Sequence, residues 1–207
     1  MIAILSLSAL LAIPRGPLAG QSVGAQAVAA SVRTLAGSQS FAAVSLPQSG
    51  GMENVDADNA SVANTLGAGG LTSITSGQVD DALVSATASA EAADVNILNG
   101  LIAAKSVVAF ASSYANGTAA SSESNGSTVI SLVVGGVSYA DGAPAPNTRV
   151  DLPGVGYVIL NEQISSGDGV HSTGLTVNMI HVYLVDSVTG AANGEIVVGA
   201  ATSSATR

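Results

Sequence analysis

The eleven residues Leu175–Val185, LTVNMIHVYLV, decide the fold class of this chain. At the two-residue period of a strand, one face carries Leu175, Val177, Met179, His181, Tyr183 and Val185. The other carries Thr176, Asn178, Ile180, Val182 and Leu184. β-branched and aromatic side chains of this kind fit a pleated surface. Both faces are largely apolar, as in a strand covered on both sides. No helical repeat competes: the nearest candidate, Val79 to Leu98, is so rich in Ser and Thr that it too reads as strand.

Outward from this run the same grammar continues. Glu195–Ala201 and Tyr157–Ile164 are strands, the latter followed by a Gly-rich turn at Ser165–Gly169. Val129–Tyr139 is another, with Gly135-Gly136 as a bulge or kink. Asp141–Pro146 is a proline-containing turn, and Ala115–Ser127 a loop holding two Asn-Gly pairs. Leu71–Val79, Ala82–Ala90, Ala92–Leu98 and Leu101–Tyr114 follow as strands, Gly67–Gly70 as a turn, Glu53–Asn59 as an acidic loop and Phe41–Leu46 as a first strand. The series predicts an all-β, antiparallel, jelly-roll-like sandwich of roughly 8–11 strands. Residues 51–207 form the sandwich domain in this reading, 28–50 an extended N-terminal arm, and 1–27 a signal peptide.

The signal-peptide reading rests on Ile2–Ile13, an apolar run too short for a membrane span of about 20 residues but of h-region length. Small triplets such as Ala25-Gln26-Ala27 suit cleavage. No Lys or Arg precedes the run, which departs from the usual pattern.

Composition narrows the function. Charged residues are 9% of the chain, against about a quarter in a typical soluble domain. With 14 acidic and 5 basic residues the net charge is −9, and Arg15, Arg33, Lys105, Arg149 and Arg207 form no cluster able to neutralise nucleic-acid phosphates. An anionic membrane surface is disfavoured on the same ground. Without cysteine there is no disulfide or thiolate metal site. Aromatics are 3% and Trp is absent, so the core is built from small side chains. Each buried methylene contributes roughly 0.8 kcal/mol, so such sheets need long regular packing or pairing with a neighbouring chain.

The ordered series Leu132-Val133-Val134-Gly135-Gly136, Ala145-Pro146-Asn147-Thr148, Leu152-Pro153-Gly154-Val155-Gly156, Val158–Gln163, Leu175–Val182 and Ile196–Ala201, with Gly100–Val107 upstream, resembles the bacterial choice-of-anchor P family over roughly residues 65–205. The resemblance implies a secreted surface protein without catalytic residues. Members of that family carry differing C-terminal anchors. Here Ser203–Arg207 follow the last strand without a sortase-type motif, so covalent C-terminal anchoring is not expected.

Candidate chemistry is sparse. His171 reads as a loop residue and His181 as a hydrogen-bonded core histidine, with no nucleophile-elbow pattern beside either. Paired acids without aromatic platforms make a poor glycosidase. Glu53, Asp56 and Asp58, with Asn54 and Asn59, offer hard oxygens for Ca²⁺, though without the glycine and twelfth-position glutamate of an EF-hand. Asp80, Asp81 and Asp168 read as turn residues, and Asn59, Asn116 and Asn125 match the N-glycosylation pattern. No catalytic or cofactor-binding residue is expected. Two functions remain: a self-assembling extracellular structural subunit, and a monomeric surface-adhesion or carbohydrate-binding module in glycan or cell-wall contact.

Overall fold

The structure, a computed structural model, describes residues 20–207. Among them are fourteen strands and no helix, hence none long and apolar enough to cross a membrane. In chain order these are β1 (Ser22–Thr34), β2 (Gly37–Ser45), β3 (Gly51–Val62), β4 (Leu66–Val79), β5 (Val84–Ile97), β6 (Ile102–Ala115) and β7 (Ala120–Glu123). Then come β8 (Thr128–Ile130), β9 (Val133–Val134), β10 (Val137–Ser138), β11 (Thr148–Leu152), β12 (Gly156–Gly167), β13 (Ser172–Val185) and β14 (Ala192–Thr206). Two antiparallel sheets pack as a sandwich. One has six strands in the order β11-β12-β13-β14-β1-β2; the other runs β10-β9-β6-β5-β4-β3, with β7 and β8 also paired to β6. β1 lies over β4 and β5, β14 over β5 and β6, and β13 over β6.

Several expectations change. Residues 28–50 are no free arm: β1 is paired on one side with β14 and on the other with β2, and Ala27, Ala29 and Ala30 are fully buried. An amphipathic Ala/Val alternation is enough to make this a central strand. The signal-peptide reading lies mostly outside the described residues, but Ala25-Gln26-Ala27 sits inside β1, so a boundary at residue 27 would remove half of a paired strand. The acidic run Glu53–Asn59 is not a loop but part of the edge strand β3. Gly67–Gly70 is no turn; it lies within β4, where the register shifts against β5. Gly135-Gly136, with φ of 58° and 83°, closes the β9–β10 hairpin as a two-residue turn, because both positions demand positive φ.

One irregularity is common to all nine strands longer than eight residues. Inward positions advance by two except for a single step of three. In the six-stranded sheet the steps are Leu160 to Gln163, Val177 to Ile180, Val198 to Ala201, Ala27 to Ala30 and Phe41 to Val44. They are in register: Leu160, Ile180, Val198, Ala30 and Phe41 form one cross-strand row, and Gln163, Val177, Ala201, Ala27 and Val44 the next. The facing sheet repeats this with Ala57 to Ala60, Ala68 to Leu71, Ala92 to Val95 and Ala104 to Val107. A bulge in one strand throws its partner out of register. Shared by every strand, it becomes a crease that leaves the ladders intact on either side. Gly70, Asp94, Asn161 and Gly199 supply positive φ within these steps, as does Ala42, whose side chain is ill-suited to it.

The crease explains why both faces of Leu175–Val185 read as apolar. Leu175 and Val177 point inward before it, Ile180 and Val182 after it, and Met179 is buried in the fold itself.

Candidate functional site

On the outer face of the six-stranded sheet, the crease gathers a cluster of buried polar and charged side chains. Glu162 on β12 is paired in register with Asn178 on β13, and His181 stands just across the fold. Asn178 Nδ2 and His181 Nδ1 each lie 2.7 Å from Glu162 Oε2, and the Tyr183 hydroxyl donates to Oε1 at 2.7 Å. Glu162 is 7% exposed and His181 8%. Burial alone would raise the Glu162 carboxyl, but the hydrogen bonds from His181, Asn178 and Tyr183 outweigh it and hold the group below its ordinary value. Burial, and then the same carboxylate, push the Tyr183 phenol far above its usual range.

The cluster extends over neighbouring strands. His181 Nε2 lies 3.4 Å from Glu195 Oε2 without a hydrogen bond, and Glu195 Oε1 is 3.0 Å from the Arg33 guanidinium of β1. Tyr183 stacks on His181 with centroids 4.0 Å apart and on its cross-strand partner Tyr157 at 4.7 Å. The Arg149 guanidinium sits 3.7 Å from the Tyr157 ring centre while bonding Asp151 at 3.0 Å. Parallel neighbours at such distances occupy opposite faces of a ring, so the column presents ring edges rather than a flat platform. Both carboxylate oxygens of Glu162 are thus engaged as acceptors. The arrangement acts as a polar clamp that ties β12 to β13 across the crease, with Glu195 of β14 and Arg33 of β1 at its margin.

The other candidates stay apart. Glu53, Asp56 and Asp58 are strung along the edge strand β3, Asp56 accepting a hydrogen bond from Thr72 at 2.7 Å. Among the described residues no three acidic or histidine side chains converge as metal ligands. His171 lies 3.3 Å from Asp168, whose other oxygen accepts the backbone N–H of Ser172, Val170 and His171; those bonds hold the carboxyl well below its usual range. Asp80 caps the β4–β5 turn through Ala82 and Leu83, and the Arg207 guanidinium donates to the Asp81 carbonyl. Asn59, Asn116 and Asn125 are exposed.

Residue reading found His181 but not its partners. Glu162 and Asn178 meet through strand register, which composition does not reveal. The available signal was the placement of two of the four tyrosines and both histidines within Tyr157–Tyr183. No family model, curated protein or solved structure matches the chain.

Proposed function

We propose that this chain is a non-enzymatic, secreted structural subunit that assembles with further copies of itself at a cell surface or in a matrix by β-strand pairing. The observation that carries this reading is the alanine seam inside the sandwich. Ala25, Ala27, Ala29 and Ala30 of β1 are buried in the core that β5 lines with Ala86, Ala88, Ala90 and Ala92. Sheets that meet on methyl groups gain little from side-chain burial, so strand pairing carries an unusual share of the cohesion. Strand pairing needs no bespoke side-chain surface and is available to any second copy. The apolar run Ile2–Ile13 and the choice-of-anchor resemblance support export. The test is sedimentation and electron microscopy of the purified protein over a concentration series, with added salt to screen the net charge of −9. Regular polymers with unchanged sheet content are expected. A monomer at every concentration and salt level rejects the reading.

A second reading, a surface-binding module, is favoured by one feature: an open groove of about 450 Å³ lined by Arg149, Tyr157, Tyr183 and Leu184. Micromolar retention of a glycan or cell-wall fragment, lost in Tyr157→Ala, would establish it; its absence from a broad glycan array removes it.

A further inference from the structure

We infer that the N-terminal hairpin formed by β1 and β2, Ser22–Ser45, is the element that passes between copies, each hairpin filling the place beside β14 of the next molecule. This rests on the self-assembly reading and names its joint. Three features carry it. First, the hairpin connects to the remaining strands through one short linker, Leu46–Gly50. That linker is closed by a single turn bond from Gly50 N to Pro47 O at 2.9 Å, and Gly50 and Gly51 both have positive φ, 77° and 114°. Opening one turn lets the chain run on in extended form, the usual hinge of an exchanged element.

Second, the hairpin's seat is weakly specified. Its buried side chains in β1 are Val23, Ala25, Ala27, Ala29, Ala30 and Val32, none larger than valine. Among the described residues its one ion pair to β14 is Arg33 with Glu195, exposed on the arginine side. On β4, which β1 covers, the hydroxyls of Ser73 and Thr75 are buried without a hydrogen-bond partner. Departure of the hairpin returns both hydroxyls to water and so lowers the cost of opening. The seat itself persists, because β14 remains paired with β13.

Third, the competing route is obstructed. β2 and β3 are consecutive edge strands on one side of the sandwich. Edge-to-edge addition through two β2 strands therefore sets Glu53, Asp56 and Asp58 of one copy against the same residues of the other. Exchange reproduces every native contact and brings no such charges together.

The experiment uses a cross-link, which is unambiguous in a chain without cysteine. Gln26 of β1 faces Thr202 of β14 in register, so their Cα atoms lie about 4.5–5.5 Å apart, within disulfide reach. The double variant Gln26→Cys, Thr202→Cys is assembled in reductant, oxidised, and run under denaturing, non-reducing conditions. Exchange predicts a ladder of covalent multimers from the assembled fraction. Single cross-linked chains from genuine polymers overturn exchange and leave self-assembly standing. Oxidation of dilute monomer before concentration is the second arm: locking the hairpin should reduce assembly at least tenfold, with recovery on reduction. Unchanged assembly of the locked protein also overturns the proposal. Failure of the unmodified chain to assemble at all overturns both readings together.

Discussion

The β12–β14 half of the six-stranded sheet and the β1–β2 hairpin at its other side share one crease and one hydrogen-bonded ladder, yet they are held by different means. β12–β14 bury Leu160, Met179, Ile180, Val182, Ile196 and Val198, and tie their outer face with the Glu162 clamp. The hairpin buries mainly alanine and is joined to β14 by backbone pairing, the half-exposed Arg33–Glu195 pair and a long hydrogen bond from the Ser204 hydroxyl to the Gly24 carbonyl. Sheet continuity therefore does not imply uniform strength. The C-terminal half carries large buried side chains and the hairpin small ones. A sheet built this way has a firmly held part and a lightly held part.

The largest expected effect falls on the clamp. Glu162→Ala leaves the Asn178 amide, the His181 ring and the Tyr183 hydroxyl without their acceptor in a buried setting, and should cost about 3–5 kcal/mol in urea unfolding. The wild-type contribution also depends on pH. Because the folded Glu162 carboxyl titrates below its ordinary value near 4.5, its stabilisation is complete above that value and is lost as pH falls through the folded one. Acid unfolding should therefore begin at lower pH in Glu162→Ala than in the wild type when the two are compared from equal starting stability, because the variant has no Glu162 stabilisation left to lose. An acid midpoint identical in both would break the contrast between the two regions.

Ile180→Ala tests the apolar half of the same region. Truncating this fully buried side chain should cost about 2–5 kcal/mol. Ala27→Gly, one crease row away on β1, should cost only about 1 kcal/mol, mostly through backbone freedom. Comparable losses from the two would mean the hairpin is seated as firmly as β13.

Much of the fold was legible because alternation survives on each side of the crease. Strand type, antiparallel order and sandwich class follow from runs such as Leu175–Val185 and from turns such as the Asn-Gly pairs. What a period-two reading loses is the phase. Met179-Ile180 and Ala29-Ala30 are adjacent apolar pairs that break the alternation at the crease, and they resemble ordinary sequence noise in an alanine-rich chain. The same loss hid the site: Asn178 and His181 are assigned to opposite faces by strict alternation, whereas the three-residue step puts both on the outside with Glu162. Acidity misled at Glu53–Asn59, because an edge strand tolerates charge on its open side and acidic residues there guard against pairing.

Gly199→Ala probes the crease itself. Gly199 holds φ of 68°, and a Cβ there would meet Val107 Cγ1 at 3.0 Å and Met179 Cβ at 3.4 Å. Strain and crowding together should cost about 1–3 kcal/mol, visible as a lower urea midpoint with an unchanged slope. A neutral result would mean the crease relaxes easily and that the clamp, not the backbone, sets it.

The smallest effect is the most discriminating for the hairpin side. Ser73 and Ser113 are both fully buried hydroxyls in the same core, but Ser113 Oγ lies 2.8 Å from Ser122 and 2.7 Å from Ser203, whereas Ser73 Oγ has no partner. Removing an unsatisfied buried hydroxyl relieves a desolvation cost, while removing a bonded one strands its neighbours. Ser73→Ala should therefore be neutral or stabilising by up to about 1 kcal/mol, and Ser113→Ala destabilising by about 1–2 kcal/mol. If detachment of the hairpin is what hydrates Ser73, the same Ser73→Ala change should also slow hydrogen exchange along β1 while leaving β13 unaffected. Equal protection changes in both strands would show that the hairpin opens only with the whole sandwich.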